Sequence, residues 1–338
     1  MTEKLKTYYT FDDIALMPQY SNVNSRLDTK LNTKLTKKIT MKIPIIAANM
    51  DTVICERMAD ILLKNGSIPI FHRFCSFKKQ IDLVRKYKNE CFVSYGLNNL
   101  ENLYELLEKG ALGVCLDVAH GHCKRMITAI KQIKKKYPNK QVIAGNVCNP
   151  IGCHDLIIAG ADAVKVGIGP GSACSTRIVT GFGIPQFSAI LECSKVCNKM
   201  RVPLIADGGI RNSRDIVLAL AAGADSVMIG SLFAKTYESS ARKLKKNNIT
   251  YAVYRGQSSK EFQKDFYGKL KENTVAEGVK YETKCEYSCQ ELIDKLCGGI
   301  RSALTYGGST NIKDFREKVE YVKVTPTYLK ESFPRTFQ

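Results

Sequence analysis

Residues 167–177 read Gly-Ile-Gly-Pro-Gly-Ser-Ala-Cys-Ser-Thr-Arg and follow directly on the short apolar run Ala163-Val164-Lys165-Val166. Glycines and a proline at this density extend neither a strand nor a helix, so the chain must turn here. The turn presents Cys174, with the Thr176 hydroxyl two residues on and the Arg177 guanidinium next to it. A thiol on a glycine-rich loop at a strand end suits a nucleophile, and a neighbouring cation helps it ionise. The same cysteine would also serve as a small buried hydrophobe, and local chemistry leaves both readings open. Other polar groups close other apolar runs: Asn49, His72-Arg73, Asp117, Asn146, Asp207-Gly208-Gly209 and Gly230-Ser231. Glycines in the last two let backbone N–H groups approach an anion, so together they predict a phosphorylated ligand.

These groups need a scaffold that brings strand ends together. Eight apolar runs recur at residues 44–50, 67–72, 91–95, 112–117, 141–147, 163–166, 203–207 and 226–230. Helix-like or looping segments lie between them, among them 57–64, 78–87, 100–109, 123–137 and 154–159. Parallel strands buried on both faces read as continuous apolar runs, and eight of them close a barrel. Gly110-Ala111, Gly160-Ala161-Asp162 and Gly223-Ala224-Asp225 stand before the fourth, sixth and eighth runs, where a glycine ends a helix. An open doubly wound sheet would carry its glycine fingerprint after the first strand instead. The pattern therefore predicts a (β/α)8 TIM barrel in a single domain over residues 1–338, with its chemistry at the carboxyl ends of the strands. The segment through Pro18 reads as an irregular arm. The polar excursion from Ala234 to about Cys289 reads as a long loop, with a flap over the strand ends at about residues 255–289. A last helix is expected around residues 290–302, and no regulatory domain interrupts the barrel.

The chain has 338 residues, 44% hydrophobic and 25% charged, with a formal net charge of +19. Lysines such as Lys131, Lys134, Lys135 and Lys136 are spread over predicted helix surfaces, and no stretch interleaves basic and aromatic residues. We expect a solvated surface and no nucleic acid, with a field that draws small anions. No apolar stretch suits a membrane span or a signal core, so the expected location is the cytoplasm. Thirteen cysteines in an irregular order fit neither a disulfide nor a zinc framework. The His120, His122 and Cys123 cluster lacks a second ligand pair at zinc spacing.

The cysteine loop, Ile205-Ala206-Asp207-Gly208-Gly209-Ile210-Arg211, Met228-Ile229-Gly230-Ser231 and Gly298-Gly299-Ile300-Arg301-Ser302 resemble the IMP dehydrogenase/GMP reductase family over nearly the whole chain. The resemblance implies a purine nucleoside monophosphate (GMP or IMP), with Cys174 attacking C2 of the base. It implies that Thr176 and Glu277 deliver a proton to the leaving ammonia. Ser172, Asp207, Gly208, Gly209, Gly230, Ser231, Gly256, Gln257, Ser258 and Gly278 would hold the nucleotide, with Asp207 on the ribose. Ser25, Arg26, Arg73, Asp117, Val118, Ala119, Ile168, Gly169 and Ser302 would meet a nicotinamide cofactor. Carbonyls of Gly169, Gly171 and Cys174, with Arg177 close by, would bind potassium, and the assembly would be a homotetramer.

Within the family, Ala47-Ala48-Asn49-Met50-Asp51-Thr52-Val53, Asp117-Val118-Ala119-His120-Gly121 and Ser258-Ser259 look like the NADPH-dependent reductase. The Arg-Tyr pair with which dehydrogenases activate water is replaced by Lys264-Asp265-Phe266-Tyr267. Three positions depart from the reductase pattern: Arg73 for the lysine of animal enzymes, Gln257 for methionine, and Thr274 for an arginine near the cofactor. The competing readings are a dehydrogenase without the regulatory insertion, turning IMP and NAD into XMP, and a non-enzymatic role of the basic surface.

Overall fold

The computed structural model describes residues 5–270, 275–332 and 334, so Thr274 lies outside the described residues. Eight parallel strands form its centre: β1 (Ile45–Ala47), β2 (Ile70–Phe71), β3 (Phe92–Tyr95), β4 (Gly113–Asp117), β5 (Gln141–Val147), β6 (Ala163–Val166), β7 (Leu204–Asp207) and β8 (Ser226–Ile229). Neighbours in sequence pair from β2 to β8, and β8 pairs back to β1 with Met228 opposite Ile46. Between β1 and β2 the ring is drawn together by Ser67, whose hydroxyl donates to the Ile45 carbonyl at 2.5 Å. The sheet is thus a nearly closed (β/α)8 barrel.

The barrel interior takes one side chain from each strand: Ile46, Ile70, Phe92, Cys115, Ile143, Ala163, Ile205 and Met228, all buried. Side chains alternate along a strand, so the residue two places on faces the same interior, nearer the carboxyl end. On β4, β6 and β7 those residues are Asp117, Lys165 and Asp207. An apolar floor therefore carries a charged layer directly above it. At the opposite end a short hairpin, Thr33–Lys34 with Thr40–Met41, lays Leu35 and Met41 against the apolar layer.

Around the sheet run α1 (Glu56–Lys64), α2 (Phe77–Lys86), α3 (Glu101–Glu108), α4 (Lys124–Lys136), α5 (Pro150–Ala159), α6 (Gln186–Lys199) and α7 (Ser213–Ala221). Helix α4 shows the logic: Met126, Ala129, Ile130 and Ile133 are buried on one stripe. Its last turn holds Lys134, Lys135 and Lys136, where the helix dipole favours cations. Gly110, Gly160 and Gly223 take positive φ (117°, 114° and 109°), the left-handed turn expected of helix-ending glycines. Helix α5 begins earlier than its apolar pattern suggests. Asn149 caps it by accepting from the Gly152 N–H at 2.7 Å, and Pro150 fills the first turn, where its missing N–H costs nothing.

Two expectations are corrected. The N-terminal arm is not irregular throughout: Ile14–Met17 pairs antiparallel with Glu320–Lys323, which ties the two ends of the chain together. Four residues are too few for a readable alternation, and the partner lies at the far end of the sequence. The excursion after β8 is not a loop but a three-stranded antiparallel sheet, β9 (Lys243–Lys246), β10 (Ile249–Arg255) and β11 (Lys280–Lys284), with α8 (Lys260–Tyr267) between the last two. Asn247 and Asn248, both at positive φ, make the tight β9–β10 turn. The last helices are α9 (Cys289–Tyr306), longer than expected, and α10 (Ile312–Lys318). Among the described residues no helix is long and apolar enough to cross a membrane.

Candidate active site

A cleft of about 470 Å³ opens over the carboxyl ends of the barrel strands, lined by the loops after β6, β7 and β8 and by β10 and α8. It gathers most of the residues singled out in the sequence. Cys174, Thr176 and Glu277 line it, as do Ser172, Asp207, Gly208, Gly209, Gly230, Ser231, Gly256, Gln257 and Ser258. Arg73, Asp117, Val118, Ala119, Ile168, Gly169 and Gly171 line it as well. Gly278 stands behind the thiol loop, in bridge pairing with Cys174 and Ser259.

Ser25, Arg26 and Ser302 are not brought to this cleft. Ser25 caps the single turn Arg26–Asp28, and Ser302 faces a separate cavity with Met17 and Arg214. Arg177 lies under the loop, where its side chain donates to the carbonyls of Ile168 (3.3 Å) and Ile184 (2.5 Å) and clamps the turn.

At the centre the Cys174 thiol points to the Thr176 hydroxyl at 3.2 Å, and that hydroxyl donates to Glu277 Oε2 at 2.8 Å. Alone among the thirteen cysteines, Cys174 is exposed. Its N–H donates to the Gly171 carbonyl at 3.0 Å, which tightens the turn. The Ala173 carbonyl accepts from Val279, and the Ser175 N–H donates to the Glu277 carbonyl, so the segment carrying Glu277 is stitched to the loop carrying the thiol. Gly256 is what lets β10 come this close: a Cβ there would sit 2.6 Å from the Ala173 carbonyl.

The charged layer forms the floor. The Lys165 ammonium lies between Asp117 Oδ1 (2.9 Å) and Asp207 Oδ2 (2.5 Å) and is only 2% exposed. Asn49 donates to Asp117 Oδ2 at 2.8 Å, and Asn146 donates to Asp207 at 3.0 Å and to the Gly167 carbonyl at 2.6 Å. Burial works against the Lys165 charge, but the two carboxylates outweigh it and hold its pKa above the usual lysine range. Burial likewise opposes the Asp117 charge; Lys165, and then the Asn49 amide, reverse that and leave the carboxyl below its ordinary value.

Sequence reasoning missed Lys165, although a lone lysine inside an apolar strand is a legible signal, since lysine is almost never buried unpaired. It also missed Tyr254, hidden in the excursion. This tyrosine lines the cleft beside Gly230, and burial pushes its phenol up, so it stays a hydrogen-bond donor at neutral pH. Tyr281 reaches the same region and donates to Ser172 Oγ at 2.9 Å.

The donor set fits the groups the fold could hold. Asn146 Oδ1 is buried with no partner, because both hydrogen bonds of its amide nitrogen fix the ring of contacts on the other side. Ser231 and the backbone of Gly208, Gly209 and Gly230 line the cleft together and are the residue types that could hold a phosphate. The thiol loop offers carbonyl oxygens, hard donors that suit an alkali cation better than a thiophilic metal. His122 instead pairs with Asp155 at 2.8 Å and does not line the cleft.

The carboxyl face of a (β/α)8 barrel thus carries an exposed thiol, a hydroxyl–carboxylate pair and two glycine-rich loops in one cleft, the arrangement of an enzyme active site. A model of the IMP dehydrogenase / GMP reductase domain matches residues 8–335, and the chain belongs to that family. It is 38% identical to an inosine-5'-monophosphate dehydrogenase of Cryptosporidium parvum over 384 residues, covering 98% of this chain and 96% of the relative. An inosine-5'-monophosphate dehydrogenase of Borreliella burgdorferi is 36% identical, over 97% of each chain. GMP reductase 2 of Mus musculus is 33% identical, over 93% of this chain and 94% of its own. The family is one of oxidoreductases that act on purine nucleoside monophosphates with a nicotinamide cofactor.

Proposed function

We propose that the protein is an NADPH-dependent GMP reductase, converting GMP to IMP and ammonia. The observation that carries this reading is the line from Cys174 through Thr176 to Glu277. The Cys174 sulfur adds to C2 of guanine, and the exocyclic amine must then leave. Amide ion cannot depart at neutral pH, so the amine needs a proton. Glu277 passes one through the Thr176 hydroxyl, which stands 3.2 Å from the attacking sulfur and so beside the same carbon. Asp117, Val118 and Ala119 would hold a reduced nicotinamide, which would supply the hydride needed at C2 as the sulfur leaves. The sum is GMP, NADPH and two protons to IMP, NADP⁺ and ammonium, with the thiolate returned.

Asp207 accepts from the ribose hydroxyls, and Ser172, Gly208, Gly209, Gly230 and Ser231 receive the phosphate; Gly256, Gln257, Ser258 and Gly278 border the base. The carbonyls of Gly169, Gly171 and Cys174 are assigned to potassium. Residues 255–289 act as the flap over the cleft, and we treat residues 1–338 as one catalytic domain. Ser25, Arg26 and Ser302, remote from this cleft, are assigned to cofactor held at a subunit boundary of a homotetramer. Ile178 and Phe182, 91% and 76% exposed beside the thiol loop, are apolar groups that such a boundary would cover. An exposed thiol nucleophile suits the reducing cytoplasm.

The second reading is IMP dehydrogenase, favoured by the higher identity to the two dehydrogenases. Against it stands Phe266, in the stretch where a dehydrogenase activates water. Its ring lies on Phe262 (5.6 Å) and edge-on to Phe74 (5.3 Å), and a hydrocarbon ring takes no proton. A two-way assay separates them: IMP and ammonia from GMP with NADPH supports the proposal, and XMP with NADH from IMP and NAD refutes it. Running the first reaction with NADH as well tests the cofactor preference.

A further inference from the structure

The mechanism above uses Asp117 and Asp207 but not the lysine between them. We propose that Lys165 is a positioning residue that couples the two halves of the cleft: one ammonium holds the cofactor-side Asp117 and the nucleotide-side Asp207 as ionised, oriented acceptors. The inference rests on the nucleotide reading of Asp207.

The geometry leaves little freedom. Lys165 is fixed on β6 and 2% exposed, with its ammonium 2.9 Å from Asp117 Oδ1 and 2.5 Å from Asp207 Oδ2. Gly145, next to it on β5, leaves the space it fills: a Cβ there would lie 2.7 Å from Lys165 Cβ. Each carboxylate is fixed by a second donor, Asn49 on Asp117 and Asn146 on Asp207. Asp207 therefore commits Oδ2 to the protein, and Oδ1 is the atom left for a ribose diol. The other titratable or charged groups facing this floor are Arg73 from the loop after β2, Cys115 on β4, Tyr254 on β10 and Cys174. Of these only Arg73 is a cation, and it acts on Asp117. Without Lys165, the two carboxylates that share one ammonium would lose their common counter-charge on the partly exposed floor of the cleft. Their mutual repulsion would then favour a proton retained by the pair. A carboxyl that shares that proton accepts a ribose hydroxyl poorly, so loss of Lys165 would be felt at the nucleotide and relieved by removing the other carboxylate.

The test is calorimetric binding of GMP and of IMP to the full-length protein between pH 6 and pH 9. Lys165→Met is expected to weaken binding about tenfold or more at pH 7, the worth of a charge-assisted hydrogen bond, with the gap closing toward pH 9. Lys165→Arg should recover most of the affinity, and the double variant K165M/D117N should regain it at pH 7, because Asp207 then ionises alone. Wild-type affinity in Lys165→Met at pH 7 overturns the proposal. So does a loss that neither pH nor Asp117→Asn relieves, which would make Lys165 a direct nucleotide contact. Should Lys165→Met fail to fold, K165M/D117N is compared with Asp117→Asn alone. Affinities within about threefold support the coupling, and a tenfold gap refutes it. Wild-type protein that binds neither nucleotide sinks the nucleotide reading itself, and this inference with it.

Discussion

Glu277 reaches Thr176 Oγ1 at 2.8 Å and has no direct contact with the sulfur, so its effect must pass through the hydroxyl. Glu277→Gln keeps the shape but removes the group that can exchange a proton with the hydroxyl. It is expected to slow ammonia release by about 10²–10⁴ while hydride transfer to a preformed adduct changes far less. Quench-flow with separate ammonia and NADPH readouts checks this, and equal slowing of both steps would remove Glu277 from its role. The floor charges make a prediction about stability. Asp117, depressed in the fold, adds stability that is present above its ordinary value of 3.8 and lost as pH falls through its lower folded value. Lys165, raised in the fold, adds stability that is present below 10.5 and lost as pH rises through its higher folded value. Burial holds His72 below its ordinary 6.5 and pushes thiols such as Cys91 above 9.0, so stability should fall toward acid and toward alkali, and the melting temperature should be flat only from about pH 7 to pH 8. A slope across that window in calorimetry would contradict the pairing. At this scale the sequence was readable where polar groups end apolar runs, as at Asp117 and Asp207. Lys165 carries a signal in being a lysine within an apolar strand, but four residues do not mark which side of the strand it faces; Tyr254 lies in a stretch whose neighbours are polar and rich in lysine.

Among the elements, Gly256 at the end of β10 sets how closely that strand approaches the thiol loop. Gly256→Ala would set a methyl 2.6 Å from the Ala173 carbonyl and push β10 off the loop. Expected is a fall of about 10–100-fold in kcat/KM, since misplacement by an ångström is enough for that, with the melting temperature little changed. Unaltered kinetics would show that the close approach is not used in turnover. The barrel strands and most helices were legible because their apolar periods are local. The N-terminal strand and the β9–β11 sheet were not, because antiparallel pairs such as Ile14 with Lys323 join short segments from opposite ends of the chain, and the partners Glu320–Lys323 and Lys243–Lys246 are themselves largely polar.

For the molecule as a whole, a net charge of +19 favours dispersed copies, whereas Ile178, Phe182 and Leu27, each more than three-quarters exposed, favour burial against another surface. Analytical ultracentrifugation should find a tetramer. Phe182→Asp should shift it to smaller species and weaken NADPH binding more than GMP binding, because the remote Ser25, Arg26 and Ser302 would lose their place at the cofactor. A monomeric, fully active wild type would contradict that arrangement.

The central claim is chemical and resides in one sulfur. Protein turning over GMP with NADPH, quenched in acid and digested, should carry a purine nucleotide mass on the peptide containing Cys174, with free ammonia at least equal to the adduct. Turnover of GMP with Cys174 unmodified, or with the adduct on another side chain, would contradict the account.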